Sequence, residues 1–252
     1  MVFFVGAGCG APDLITVRGL RLLKQADVII YAGSLVNPEL LADAKEGCEI
    51  HNSARMTLEE VLEVMLQDVR ADKQVVRLHT GDPCLYGAIR EQMDVLDQEK
   101  IPYDVCPGVS SFCGAASALN LEYTLPEISQ SVIITRMAGR TPVPEKESIE
   151  SFAAHHATMV VFLSTGLLEE LSKRLIAGGY RADTPAAIVY KATWEDEKAF
   201  VCTVGTLAET ARENNITKTA LMIIGDVVNC SHYDRSKLYD PAFTTEFREA
   251  SK

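Results

Sequence analysis

No stretch of the chain approaches the roughly 18 consecutive apolar residues that a membrane-spanning helix needs, so no membrane segment is expected. Basic residues are the minority. With 24 Lys and Arg against 35 Asp and Glu, the formal net charge is −11, which argues against general binding to nucleic acid or to an anionic membrane surface. There is no Cys-x-x-Cys pair, and the seven cysteines are an odd number. Reduced thiols in a cytoplasm are the simpler expectation than a disulfide framework. The five histidines show no metal-ligand spacing; His155 and His156 are adjacent and face different ways on a helix, so no protein metal site is expected. Low-complexity segments and internal repeats are also missing. The opening Met1-Val2-Phe3-Phe4-Val5-Gly6 is apolar, but it is short and lacks the basic flank of a signal peptide. It reads as a first strand.

What is present is an alternation of apolar runs and helical periods over 252 residues, enough for a substantial core. Strands are expected at Val2–Val5, Val28–Tyr31, Gln74–Leu78 and Tyr103–Cys106. Between them, Leu58, Val61, Leu62, Met65, Leu66 and Val69 follow helical spacing, and Thr57 with Glu60 supplies a capping box. This βα repeat implies a mostly parallel sheet. After the linker-like stretch from Asn120 to Gln130, strand signals resume at Ser131–Thr135, Met159–Leu163, Ala186–Tyr190, Ala199–Thr203 and Ala220–Ile224. The pair flanking Lys191–Lys198 is expected to be antiparallel, because so short a connection cannot make a crossover. The reading is α/β, with two α/β domains covering 1–120 and 121–252. The second carries a mixed sheet and a polar, aromatic tail after Asn229.

The most informative loop is His79-Thr80-Gly81-Asp82-Pro83-Cys84-Leu85-Tyr86-Gly87, at the carboxyl end of an apolar strand, where open α/β sheets bind ligands. Gly81 allows close backbone approach. Asp82 is an acceptor suited to ribose hydroxyls or an ammonium. A tight turn with Asp82 as a helix cap is the competing reading, and the loop alone does not choose between them.

The loop Gly6-Ala7-Gly8-Cys9-Gly10 invites a dinucleotide reading, which also requires an acid after the second strand. Ala32-Gly33-Ser34 stand there instead, so a functional loop other than a nicotinamide site is preferred. Cys106-Pro107-Gly108-Val109-Ser110-Ser111 offers a strand-end turn and two serines that could cap a helix or meet a ligand. Tyr190-Lys191-Ala192-Thr193-Trp194 holds the only tryptophan, which packing alone could explain. Arg136 and Arg140 lie in a loop stiffened by Pro142 and Pro144. Surface ion pairs are the common role of arginine, but guanidinium forks also suit carboxylates, so an anionic small-molecule substrate is a candidate.

Taken together, these loops resemble the tetrapyrrole methylase family. Gly6-Ala7-Gly8-Cys9-Gly10 with Asp13-Leu14-Ile15-Thr16 resembles its first motif. Thr80-Gly81-Asp82-Pro83 with Tyr86-Gly87 resembles its second, and Pro107-Gly108-Val109-Ser110-Ser111 its third. Further strings are similar to the branch that methylates carbon 11 of cobalt-precorrin-4 in cobalamin biosynthesis. They are His79-Thr80-Gly81-Asp82, Tyr86-Gly87-Ala88-Ile89, Gln130-Ser131 with Thr135-Arg136, Gly139-Arg140-Thr141-Pro142-Val143-Pro144-Glu145, Val189-Tyr190-Lys191-Ala192-Thr193-Trp194, and Leu238-Tyr239 with Phe243 in the tail.

The resemblance implies S-adenosylmethionine as methyl donor, folded in a cleft between the two domains. Its contacts would be Cys9, Thr80, Gly81, Asp82, Leu85, Ser110, Ser111, Leu163, Ala192 and Ala220. It implies an anionic tetrapyrrole substrate held by Arg136 and Arg140, with His79, Lys191 and Arg77 as weaker candidates, and a homodimer as in related enzymes. Two positions depart from the family pattern. Cys9 stands where proline is usual, and Ala32 stands where uroporphyrinogen methylases carry an aspartate, so no catalytic base is carried over. The rival readings are a metal-free precorrin-4 substrate, a nicotinamide-dependent dehydrogenase, and a tetrapyrrole carrier or sensor without turnover.

Overall fold

The computed structural model describes residues 1–33 and 35–251; Ser34, quoted above in the loop after the second strand, lies outside the described residues. The chain divides into two units. One comprises Met1–Ala115 together with Lys191–Glu197, the other Ala116–Tyr190 with Lys198–Lys252.

In the first unit, β1 (Val2–Gly6), β2 (Val28–Tyr31), β3 (Glu49–Asn52), β4 (Val75–His79) and β5 (Tyr103–Cys106) form a sheet in the order β3-β2-β4-β1-β5. Every pairing is parallel, as the βα repeat requires. Alternation along the strands sorts side chains to two buried faces. Val5, Ile29, Val76 and Leu78 pack with Leu23 of α1 (Val17–Gln25) and with Val36 and Leu40. Val2, Phe4, Ile30 and Val75 pack with Val61 and Met65 of α2 (Leu58–Arg70) and Leu96 of α3 (Arg90–Gln98). Helix α2 begins with the expected reciprocal cap: the Thr57 hydroxyl accepts the Glu60 N–H at 3.3 Å, and the Glu60 carboxylate accepts the Thr57 N–H at 2.7 Å. Strand β3 has no counterpart in the sequence reading. Its residues are mostly exposed at the sheet edge, so they carry no apolar alternation to detect.

In the second unit, β6 (Val132–Arg136), β7 (Thr158–Phe162), β8 (Pro185–Tyr190), β9 (Lys198–Thr203) and β10 (Ala220–Ile224) form a sheet in the order β6-β7-β10-β8-β9. The β6–β7 pair is parallel and the others are antiparallel. The expected antiparallel pairing of β8 with β9 is present. So is antiparallel pairing of β10 with both β7 and β8, which patterning did not foretell. Met159, Val161, Ile188 and Met222 pack with Ile149 and Ala153 of α5 (Ile149–Ala153), Leu171 and Leu175 of α6 (Leu168–Ala177) and Leu207 of α7 (Leu207–Glu213). No helix among the described residues is long and apolar enough to cross a membrane.

Candidate functional site

The carboxyl ends of the adjacent strands β4, β1 and β5 carry three loops that the backbone stitches together. Ala7 N–H donates to the His79 carbonyl at 2.7 Å, Gly81 N–H to the Gly8 carbonyl at 2.7 Å, and Gly8 N–H to the Gly81 carbonyl at 3.3 Å. This bridge needs Gly8 at φ +82° and Gly81 at φ +61°, a region that costs glycine little and other residues more. Beside it the chain passes itself closely: a Cβ on Gly6 would fall 2.5 Å from the Gly108 Cα. Glycine at both positions is what lets the first and third loops touch.

Asp82 completes the junction. Its Oδ2 accepts the Gly108 N–H at 2.9 Å and its Oδ1 the Cys84 N–H at 2.8 Å. Burial pushes the Asp82 carboxyl up, but the bonds from Cys84 and Gly108 outweigh it and leave the group below its ordinary value. Asp82 is not a cap of α3, which begins eight positions later at Arg90 and has no side-chain cap at Ile89. Ser110 precedes and Ser111 begins α4 (Ser111–Ala118), directly beside Gly81: a Cβ there would stand 3.5 Å from the Ser110 Cα and the Ser111 nitrogen. Half-buried Thr80 and Leu85 lie in the same loop as Asp82.

The segment Lys191–Glu197 belongs to this unit and packs on the first loop. A Cβ on Gly10 would come 2.3 Å from Trp194 Cδ1 and 2.7 Å from the Ala192 carbonyl oxygen. The lone tryptophan is therefore a packing residue of the loop cluster. Lys191 pairs with Asp196 at 2.7 Å and stands 5.4 Å over the Trp194 ring. Cys9 is buried; burial pushes its thiol up, partly offset by a bond from the Thr193 hydroxyl. Asn37 Nδ2 donates to the Gly10 carbonyl at 3.0 Å. Asn37 sits in no recognisable motif, and Thr193 sits in one without a legible role of its own, because their partners lie 27 and 182–184 positions away.

Arg77 and His79 occupy the α2–α3 face of β4 and are 8% and 4% exposed. Arg77 Nη1 donates to the Ile30 carbonyl at 3.1 Å, and burial lowers its guanidinium to about 10. His79 is pushed down to about 3 by burial and by the neighbouring Arg77 charge, so it is neutral at physiological pH.

In the second unit, Arg136 ends β6 and folds back on its own loop, donating to the carbonyls of Met137 (3.2 Å), Thr141 (3.2 Å) and Pro142 (2.7 Å). Arg140, further along that loop, is exposed. Buried Ser164 joins this loop to the one after β7: its hydroxyl accepts the Met137 N–H at 2.9 Å and donates to the Phe162 carbonyl at 2.7 Å. Leu163, between them, is 66% exposed with φ +52°. An apolar side chain held outward on a strained backbone makes Leu163 a candidate for a functional position. Ala220 begins β10, and its carbonyl accepts the Thr165 hydroxyl at 3.2 Å. Among the described residues, no group of three or more His, Cys, Asp or Glu side chains is arranged to hold a metal ion.

A glycine-stacked junction at the ends of three parallel strands, with one carboxylate and two serines around it, is the arrangement of a candidate small-molecule site in an α/β enzyme. The sequence matches the family of tetrapyrrole (corrin/porphyrin) methylases over residues 1–208, and the chain belongs to that family. It is 51% identical over 251 residues to cobalt-precorrin-4 C(11)-methyltransferase of Methanocaldococcus jannaschii, covering 100% of this chain and 97% of the relative. The X-ray structure of a cobalt-precorrin-4 methyltransferase, a cobalamin biosynthetic enzyme, superposes with a TM-score of 0.89 at 47% identity, covering 91% of this chain and 96% of that one. Uroporphyrin-III C-methyltransferase from Thermus thermophilus, solved with S-adenosylhomocysteine, superposes with a TM-score of 0.74 at 29% identity over 90% and 93% of the two chains.

Proposed function

We propose that this protein moves a methyl group from S-adenosylmethionine to carbon 11 of cobalt-precorrin-4, a step of cobalamin biosynthesis. The observation that carries the reading is the stitched junction of the Gly6–Gly10, Thr80–Gly87 and Pro107–Ser111 loops in a chain whose likeness to carbon-11 methylases runs end to end. The donor supplies a methyl already activated on a sulfonium sulfur, so the protein's task is chiefly to hold two reactants in line. Such positioning is worth roughly 7–11 kcal/mol in favourable cases.

The residues fit such a donor. Asp82 keeps further acceptor capacity on each carboxylate oxygen after its two backbone bonds, suited to a ribose hydroxyl or an ammonium. Leu85 and exposed Leu163 offer apolar walls. Cys9, Thr80, Gly81, Ser110, Ser111, Ala192 and Ala220 complete the proposed donor contacts. For a polycarboxylate macrocycle, Arg140 is the exposed cation on the loop that Arg136 organises, and the two concentrate positive charge in a protein of net charge −11. Lys191, His79 and Arg77 are the weaker substrate candidates: Lys191 is engaged by Asp196, and His79 and Arg77 are interior. Cobalt would arrive within the substrate. A cytoplasmic location and a homodimer complete the proposal.

The test is incubation with labelled donor and either cobalt-precorrin-4 or metal-free precorrin-4, with mass and NMR analysis of the product. Carbon-11 methylation of the cobalt substrate is expected. Transfer only to the metal-free macrocycle would move the reading to the other branch, and binding without transfer would indicate a carrier. Tight binding of NADH in place of S-adenosylhomocysteine would favour a dehydrogenase, against which Ala32 after β2 already argues.

A further inference from the structure

Thr193 bonds the first glycine loop on both sides of Gly10. Its Oγ1 accepts the Ala11 N–H at 3.0 Å and donates its proton to the Cys9 sulfur at 3.5 Å. The hydroxyl is thereby fully oriented, with its one hydrogen directed at residue 9 and a lone pair at residue 11. Gly10 between them is pressed against Trp194 and the Ala192 carbonyl. Residues 9–11 are also held by Asn37 on the Gly10 carbonyl, by the Leu14 N–H on the Ala11 carbonyl at 3.1 Å, and by Gly114, which lies against the Cys9 sulfur.

The backbone of the same segment enters the left-handed region. Thr193 has φ +68° and Lys191 has φ +46°. A β-branched residue is poorly suited to the left-handed region, where glycine or asparagine fits at less cost. The chain meets that cost with a tight brace: the Thr193 N–H donates to Glu197 Oε2 at 2.5 Å, Trp194 N–H to the Lys191 carbonyl at 3.0 Å, and Lys191 to Asp196. A segment braced so heavily around a strained threonine is built to present that threonine's hydroxyl.

We propose that Thr193 is the positioning residue of the donor site, setting the conformation of Cys9-Gly10-Ala11 so that the first glycine loop is preformed for the donor. It acts through that loop and has no role in the methyl transfer itself. Preforming a loop raises affinity by removing the ordering cost that binding would otherwise carry.

The inference rests on the donor reading above, and its test separates the two. S-adenosylhomocysteine is titrated calorimetrically into the parent protein, Thr193→Val and Thr193→Ser, with donor KM, kcat and thermal midpoint measured for each. Thr193→Val keeps shape but loses the hydroxyl. It should bind about tenfold more weakly, with a matching rise in donor KM and kcat at saturating donor changed less than about twofold, as expected for the loss of one or two hydrogen bonds that only order the loop. Thr193→Ser should restore affinity to within about twofold, since it keeps both bonds. Where Thr193→Val fails to fold, Thr193→Ala serves with the same measurements. Unchanged affinity in a folded hydroxyl-free variant overturns the proposal, as does an equal loss in Thr193→Ser. A parent protein that does not bind S-adenosylhomocysteine overturns the donor reading itself, and is recognisable because the failure appears before any substitution.

Discussion

The Asp82 carboxylate accepts the backbone N–H of Gly108 at 2.9 Å, across 26 positions of sequence. One side chain thus locks the loop after β4 to the loop after β5, immediately beside the Gly8–Gly81 bridge. It holds two elements of the proposed donor site in register while keeping acceptor capacity for a ligand.

Asp82→Ala should therefore weaken S-adenosylhomocysteine binding by about 1.5–3 kcal/mol, the range for losing a charged hydrogen-bond partner. Calorimetry decides, and undiminished affinity in a folded variant removes Asp82 from the site. Its lowered pKa has a further consequence. Because the folded value lies below the unfolded one, the stabilisation is present above the ordinary aspartate range and is lost as pH falls through the folded value. The parent should lose thermal stability on acidification more steeply than Asp82→Asn; parallel melting curves would contradict this.

His79 supplies a second pH dependence, in a different window. Its folded value of about 3 lies below the ordinary 6.5, so the unfolded chain takes up the proton first. The contribution is complete above 6.5 and is lost progressively down to about 3, at about 1.4 kcal/mol per unit of pH in the steepest part. Urea unfolding at about pH 7 and about pH 5 should show the parent losing more stability than a folded His79→Phe variant. An equal loss in both would mean that His79 is charged in the native state.

Cys9 should behave as a pocket wall. Its thiol is buried and pushed up in pKa, which is the reverse of nucleophile activation. Cys9→Ala is expected to retain methyl transfer and to cost about 1 kcal/mol of stability, as an ordinary substitution does. Alkylation followed by peptide mass mapping should modify exposed Cys84 and Cys113 well before Cys9. Abolished turnover in a folded Cys9→Ala protein that still binds donor would show a chemical role.

The two arginines should separate. Arg140→Ala is expected to weaken tetrapyrrole binding while leaving S-adenosylhomocysteine affinity unchanged. Arg136→Ala should do the same and also loosen residues 137–142, because it removes three carbonyl bonds. Arg136→Lys should not rescue it, since an ammonium cannot span those carbonyls as a planar fork does. Added salt should weaken tetrapyrrole binding in the parent more than in either variant. Paired titrations of donor and tetrapyrrole check this, and loss of donor affinity in both variants would mark the arginines as purely structural.

Local pattern was enough for much of the chain. The capping box at Thr57 and Glu60, the buried runs of β1, β2 and β4, and the antiparallel turn-back from β8 to β9 follow from periodicity, capping chemistry and connection length, which act over a few residues. The glycine loops and their family likeness were legible in the same way. Tertiary structure alone decided what those loops do to one another. Asp82 reaches Gly108, Thr193 reaches Cys9 and Ala11, and Ser164 reaches Met137 across 26, 184 and 182, and 27 positions. No periodicity records such partners, because a hydrogen bond between distant loops depends on where the sheet delivers its strand ends and leaves no repeating mark on the residues that make it. The edge strand β3 was missed for a related reason: its exposed residues pair through the backbone, which every residue shares. Arg77 and His79 read as chargeable groups near a site until the structure put them on an interior face of β4, where burial decides their ionisation.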